Sequence, residues 1–418
     1  MASTSPAQDR VITLDLLRGI AVMGIFSVNI IGMAMIEPAY YYPGAYGTEG
    51  LADSLVWLAN FILVDHKMRA LFSILFGASM LLVIERARAS GQSPARVHFA
   101  RMAALLLFGL LHFYLIWWGD ILTLYAVTGM IAFLFWRLPA RSLLLLALLL
   151  LAWDYTPGFL GAHKSREAYE AAHAPGATDE ARAAWDKRRA FFEPDAGTIA
   201  EDAATHRSVA SLARNTLTER RWDPVGSFRL MWMETLGMMM LGMAGLRSGY
   251  LTGDWHSRSY WRAAAIGIGI GGGAFVTLAA LSWRSGLRLP EIFTGYYIYS
   301  RPVGVLMALG YAALIILAFR KPSRARARVA AVGRAAFTNY LGASLIALFL
   351  FVGLGCYGQL SRLETWLIVP LTWIIMLAWS KPWLDRFAYG PFEWLWRSLA
   401  RWELQPMRRQ LSPSAVAA

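Results

Sequence analysis

VITLDLLRGIAVMGIFSVNIIGMAMI, residues 11–36, is long and apolar enough to cross a bilayer, since a membrane helix needs about 20 mostly apolar residues. Yet it carries Asp15, Arg18 and Asn29. At about 100° per residue all three fall within an arc of roughly 60°. Ionised groups facing lipid are costly, so such a stripe belongs against protein or a wet cavity. The apolar stretch is too long and too charged for a cleaved signal, and it reads as a permanent first span.

The totals agree. The 418 residues are 57% hydrophobic and 16% charged, against about 25% charged in an average soluble domain. Eighteen tryptophans and seventeen tyrosines suit aromatic belts at two interfaces. The formal charge of +13 would suggest nucleic acid in a soluble chain, but no nucleic-acid motif accompanies it. Basic cytoplasmic loops explain it better. The single cysteine, Cys356, lies in an apolar run and excludes an internal disulfide or a cysteine metal cluster.

Hydropathy predicts an all-α, polytopic membrane helix bundle of about ten transmembrane helices: 11–36, 55–85, 101–118, 120–136, 141–156, 229–246, 262–282, 293–319, 335–355 and 362–380. The second is too long for one straight crossing, and Asp65, His66 and Lys67 mark a break in it. Arginine-rich loops fall on one side if both termini are cytoplasmic. Residues 1–403 then form one bundle, 404–418 a flexible tail, and 157–228 an extracytoplasmic helical insertion serving as lid or docking surface. Segments 165–174 and 179–193 in that insertion read as amphipathic helices. Gly267, Gly269, Gly271, Gly272 and Gly273 sit inside a span, where small residues permit close helix packing rather than nucleotide binding. YGPFEWLWRSLARWE, residues 389–403, reads as an amphipathic helix at the cytoplasmic interface.

Sorting polar residues by depth locates the chemistry. His112 lies about two-thirds of the way across the third span and Asp120 at its outer tip, eight residues on. Imidazole titrates near neutrality, so His112 suits a general base with Asp120 as its orienting partner. Asp120 equally suits an N-cap for the next helix. His66, Lys67 and Arg69 could hold an anionic group, or simply reach lipid headgroups. Towards the cytoplasm stand Asp15, Arg18, Arg86, Arg334, Thr338 and Asn339. Asp15 and Arg18 could pair, or the arginines could grip phosphate. Glu234 is a buried acid suited to a basic partner. No G-x-S-x-G, H-E-x-x-H or P-loop pattern occurs, and no histidine spacing argues for a metal.

LDLLRGIAVMGIFSVNI (14–30), MRALFSILFG (68–77), GLLHFYLIWWGDILTLYAVTG (109–129), VGRAAFTNYLGAS (332–344) and YGPFEWLWRSL (389–399) together resemble the YeiB-like family of bacterial inner-membrane proteins. That family carries a domain-of-unknown-function label and is similar to a broader group of transmembrane acyltransferases, which includes the lysosomal heparan-α-glucosaminide N-acetyltransferase. The shared opening is Leu14, Asp15, Arg18, Gly19 and Ala21. The resemblance implies transfer of an acyl group from cytoplasmic acyl-CoA to a small-molecule or glycan acceptor outside a bacterial inner membrane. The lysosomal relative has a histidine after its first span, but the matching loop here, 37–52, has none. His66 or His112 would have to substitute.

The leading expectation is therefore an acyltransferase. His112 and Asp120 would be catalytic, and Arg18, Arg86 and Arg334 would hold acyl-CoA. Asp15, Asn29, His66, Lys67 and Asn339 would contact substrate. A transporter or flippase lined by the same polar stripe is the alternative. A non-catalytic assembly partner acting through 157–228 is the third.

Overall fold

The computed structural model describes residues 6–408. The helices run in chain order as α1 (Pro6–Ala34), α2 (Glu37–Tyr41), α3 (Leu51–Leu63), α4 (Lys67–Ala89), α5 (Pro94–Leu115), α6 (Leu122–Ala132) and α7 (Ala140–Leu160). The insertion supplies α8 (Lys164–His173), α9 (Asp179–Arg189), α10 (Ala196–Thr205) and α11 (Val209–Thr218). Then follow α12 (Asp223–Arg247), α13 (Ser257–Arg284), α14 (Leu289–Ile292), a π-helical segment Phe293–Tyr299, α15 (Ser300–Ala318), α16 (Arg324–Arg334), α17 (Ala336–Leu348), α18 (Arg362–Arg386) and α19 (Pro391–Arg401). Among the described residues there is no sheet, only an isolated bridge between Phe387 and Arg408. Most of the 404–418 tail lies outside the described residues.

Among the described residues, eight helical stretches are long and apolar enough to cross a membrane. Two of the ten expected spans differ. The fourth is α6, eleven residues, or about 16 Å at 1.5 Å per residue, and the apolar stretch Leu122–Phe135 that contains it is short. The sixth is α12, which carries Arg229 and Glu234 but packs against α4, α6 and α7 rather than standing free in lipid. A helix surrounded by protein can tolerate charge that a lipid-facing one cannot. The second span breaks as its sequence suggests: α3 ends at Leu63, and His66 takes a left-handed backbone (φ 60°) before α4 begins.

The helix ends sort onto two faces. On one, Arg247 at the end of α12 donates to the carbonyls of Trp136 and Leu138 and pairs with Glu85 near the end of α4. There too Arg320 donates to the Trp255 carbonyl and Trp396 to the Arg101 carbonyl. We call this the basic face. On the opposite face lie α2 and the insertion.

The basic 320–334 stretch, expected as a loop, is mostly α16 packed along α1. A Cβ on Gly19 would overlap the Val329 carbonyl, and one on Gly333 would overlap the Asp15 carbonyl. The two backbones touch because both glycines lack that atom. Gly267 likewise meets the Gly310 backbone of α15, whereas Gly269 and Gly273 have nothing within 4 Å.

The insertion is docked, not loose. Arg220 pairs with Glu37 of α2 and with Asp223, both at 2.7 Å, and its guanidinium lies 5.5 Å from the Trp118 ring centre. Tyr357 donates to Asp202 (2.5 Å), and His206 stacks on the Tyr357 ring at 3.7 Å. A small cavity of about 30 Å³ remains beneath, lined in part by Trp117, Trp118, Asn215 and Arg220.

Two outcomes follow from this packing. Gly333→Ala should lower the thermal midpoint of purified protein in detergent, since overpacking costs about 1–3 kcal/mol; Gly269→Ala should leave it unchanged. A Gly333→Ala midpoint equal to wild type would mean that the α1–α16 contact is not tight. Burial holds His206 below its ordinary range, with Arg220 adding to the effect and Asp202 opposing it. The docked insertion therefore prefers neutral imidazole, and docking is fully stabilised above the ordinary pKa of about 6.5 and weakened as pH falls below it. Hydrogen exchange across α10 and α11, corrected for intrinsic rate, should rise between pH 7 and 5 in wild type but not in His206→Phe.

Candidate functional site

A cavity of about 360 Å³ opens among α1, α4, α5, α16, α17 and α19 in the basic half of the bundle. Five arginines line it: Arg18, Arg86, Arg101, Arg334 and Arg397. The α1–α16 contact puts Arg18 and Arg334 on one wall. Arg18 is held by Asp15 (2.8 Å), by the Ser79 hydroxyl (2.7 Å) and by the Gly333 carbonyl (3.3 Å). Arg101 lies over Trp396 and Arg397 over Tyr389, at 4.3 and 4.5 Å from the ring centres. The lining acids are already engaged. Asp15 pairs with Arg18, and Glu393 accepts from the Phe337 and Thr338 backbone N–H groups (2.7 and 3.1 Å) and the Thr338 hydroxyl (2.5 Å). Glu393 thereby caps the start of α17 and seals α19 onto the bundle, and burial raises its carboxyl above the usual range. Away from the arginine-bearing end of α4 the wall is apolar, with Phe76 and then Phe72, and Leu122, Tyr125 and Tyr340 complete that part of the lining. A chamber with guanidinium groups outside and hydrocarbon inside suits a phosphorylated head joined to a less polar arm.

Beyond Tyr340 lies the histidine. His112 Nδ1 is 3.1 Å from Asp120 Oδ1, and both side chains are almost wholly buried, 1% and 0% exposed. Asp120 stands in the 116–121 turn between α5 and α6, as its sequence position suggests, with its side chain turned into the protein. Asp120 also accepts from the Leu122 and Thr123 N–H groups (3.1 and 2.8 Å), so it caps α6 and orients the imidazole at once. With Nδ1 facing a carboxylate, Nε2 is the nitrogen free to take a proton. His112 Nε2 is buried without a hydrogen-bond partner, as is the Tyr340 hydroxyl. Their rings are 5.4 Å apart.

A second polar centre sits in the insertion half, between α4, α7, α12 and α15. Glu234, 2% exposed, pairs with Arg69 (2.8 Å) and Arg301 (3.2 Å) and accepts from Tyr155 (2.8 Å). Arg301 also pairs with Asp154 (2.7 Å). Two positive and two negative side chains balance. His66 borders this group, its ring 4.7 Å from that of Tyr296 and its Nε2 without a partner.

The expected residues thus fall into separate places. Asp15, Arg18, Arg86 and Arg334 share the cavity. His112 and Asp120 stand behind it. Asn29 lies elsewhere, facing the Tyr40 hydroxyl at 3.5 Å. Lys67 is fully buried, donates to the Phe61 carbonyl and lies over the Phe275 ring. Asn339 spends its amide on the Val332 carbonyl, Ser380 and Trp379. The single chamber implied by one stripe is therefore corrected: Asn29, His66, Lys67 and Asn339 are not in the cavity wall. Arg101, Arg397, Glu393 and Tyr340 were missed. The first three sit in segments read as loop edge or interface, and Tyr340 reads as one more aromatic. Its placement beside Thr338 and Asn339, at the depth of other polar residues, was the signal available. Among the described residues no group of three or more His, Cys, Asp or Glu could hold a metal ion.

Comparison with known proteins gives the family. Residues 246–403 match the family described as "Protein of unknown function (DUF418)". The chain is 30% identical to "Uncharacterized protein YeiB" of Escherichia coli K12, over 94% of this chain and 96% of that one. It is also 30% identical to "Uncharacterized protein YxaH" of Bacillus subtilis 168, over 98% and 99%. An uncharacterized 39.9 kDa protein of Bacillus acidopullulyticus is 23% identical over 94% of both. No solved structure matches the chain. An all-helical integral membrane protein, the chain belongs to the YeiB-like family.

Proposed function

We propose that this protein is an acyltransferase of the bacterial inner membrane. Its basic face is cytoplasmic and admits acyl-CoA, and the acceptor, a hydroxyl- or amine-bearing small molecule or glycan, arrives from the insertion face. One observation carries the reading: an arginine-lined cavity turns apolar inward and ends one aromatic ring away from a buried His–Asp pair. Phosphates of the carrier would meet Arg18, Arg86, Arg334 and the two arginines backed by rings, Arg101 and Arg397. The pantetheine arm would follow the apolar wall inward.

The chemistry needs few groups. His112 Nε2 takes the proton from the acceptor O–H or N–H while Asp120 holds the imidazole and steadies its positive charge. The freed lone pair forms a bond to the thioester carbonyl carbon. The C–S bond breaks, and the departing thiolate recovers the proton from the imidazolium. The product is an ester or amide plus CoA thiol.

A second reading, transport of a small solute, draws on the Glu234, Arg69, Arg301 and Asp154 cluster. Charges at this depth commonly mark solute or proton paths, and acyl transfer makes no use of them. Solute flux across proteoliposomes lacking CoA, abolished by Glu234→Gln, would put transport ahead.

The deciding test is calorimetric titration of purified protein with CoA. Wild type should bind, and Arg86→Ala and Arg397→Ala should each weaken binding about tenfold or more, as expected for a lost charge-assisted contact. His112→Ala should keep CoA binding but lose turnover by about 10²–10⁴-fold. No heat of binding at millimolar CoA would end the acyl-CoA reading.

A further inference from the structure

We propose that Tyr340 is the wall between the cavity and His112, and that its hydroxyl donates to the carbonyl oxygen of a bound thioester. The inference rests on the acyl-carrier reading above and deepens it.

Tyr340 touches both compartments. Its ring lines the inner end of the cavity and stands 5.4 Å from the His112 imidazole, tilted 43° to it. Only 5% of the residue is exposed, and His112 is absent from the cavity lining that Tyr340 joins. Its hydroxyl lies beside the Ile121 N–H, in electrostatic range of Asp120, yet makes no well-formed hydrogen bond. On the neighbouring ring, His112 Nε2 is equally unpartnered. Buried polar atoms in a folded protein are nearly always paired, and unpaired ones cluster where a ligand completes them. Here two such atoms sit on neighbouring rings, at the end of a cavity, beside the start of α6.

Their chemistry is complementary. A phenol keeps its proton at neutral pH, so it offers a donor. The imidazole, its Nδ1 facing Asp120, presents Nε2 as the atom that can accept. A thioester carbonyl oxygen accepts from the first while the acceptor's O–H or N–H gives its proton to the second. As the new bond to carbon forms, negative charge gathers on that oxygen and the Tyr340 hydrogen bond strengthens. The phenol proton stays on Tyr340 throughout. When the C–S bond breaks, the oxygen reverts to a carbonyl and the ring closes the passage again. Until an acyl group displaces it, the ring keeps water in the cavity from the base.

Two variants separate the roles. Acetyl-CoA labelled with ¹³C at the carbonyl should show a lowered carbonyl stretch when bound to wild type, by isotope-edited infrared difference spectroscopy. Tyr340→Phe should still bind acetyl-CoA, no more than about tenfold more weakly, but lose the lowered stretch, and with an acceptor its turnover should fall about 10²-fold. The same lowered stretch in both proteins would overturn the donor role. Carbethoxylation of His112 by diethyl pyrocarbonate, read by mass spectrometry, should be slow in wild type and Tyr340→Phe and an order of magnitude faster in Tyr340→Ala. An unchanged rate in Tyr340→Ala would overturn the wall. Should Tyr340→Ala fold poorly, the phenylalanine variant still decides the donor role. Wild type that fails to bind acetyl-CoA removes the carrier reading itself, whereas binding with the same lowered stretch in Tyr340→Phe as in wild type removes Tyr340 alone.

Discussion

Where α1 crosses α16, two backbones lie closer than side chains would allow. Gly19 and Gly333 make the crossing possible. The contact turns Arg18 and Arg334 toward one space and lets the Arg18 guanidinium reach both the Gly333 carbonyl and Ser79 of α4. α17 follows α16 after one residue, so the same crossing fixes the start of α17, where Glu393 of α19 docks. Three walls of the cavity therefore descend from one pair of missing side chains.

Polar groups inside the bundle fall into two kinds. Around Glu234 each charge has an opposite neighbour, and the network staples α4, α7, α12 and α15. Breaking such a set by removing one member leaves an uncompensated buried charge, which costs several kcal/mol. Around the cavity the balance differs. Among the described residues, five guanidinium groups and two carboxylates line it, and both carboxylates have partners. A surplus of positive charge in a recess is an attractor for anions. The two regions share a membrane but carry different obligations.

Much of this was readable in the chain. The helical class, the break at residues 64–66, the glycine packing of α13 and the amphipathic helix at 391–401 follow from hydropathy, period and local chemistry. The grouping of Arg18, Arg86 and Arg334 was legible because loop arginines share a face. The pairing of His112 with Asp120 was only half legible. A linear reading puts residue 120 past a helix end, where it is, but cannot say that its side chain turns into the protein to meet His112. Asn339 and Lys67 show the opposite error. A polar side chain at bilayer depth has to be satisfied, and here neighbouring carbonyls and rings do so without any ligand. Helix phase predicts which residues share a stripe, but not how neighbouring helices divide that stripe between compartments.

The π-helical segment Phe293–Tyr299 runs into α15; it contains Tyr296, which meets His66, and Arg301, which meets Glu234, follows just after it. Its wider turn offsets the helix by one residue, so Tyr296 and Arg301 are phased independently. Losing one residue there would restore an ordinary pitch and swing everything above it by about 100° relative to α15. The bulge thus acts as a vernier: it lets one continuous rod present two faces that regular winding could not align together.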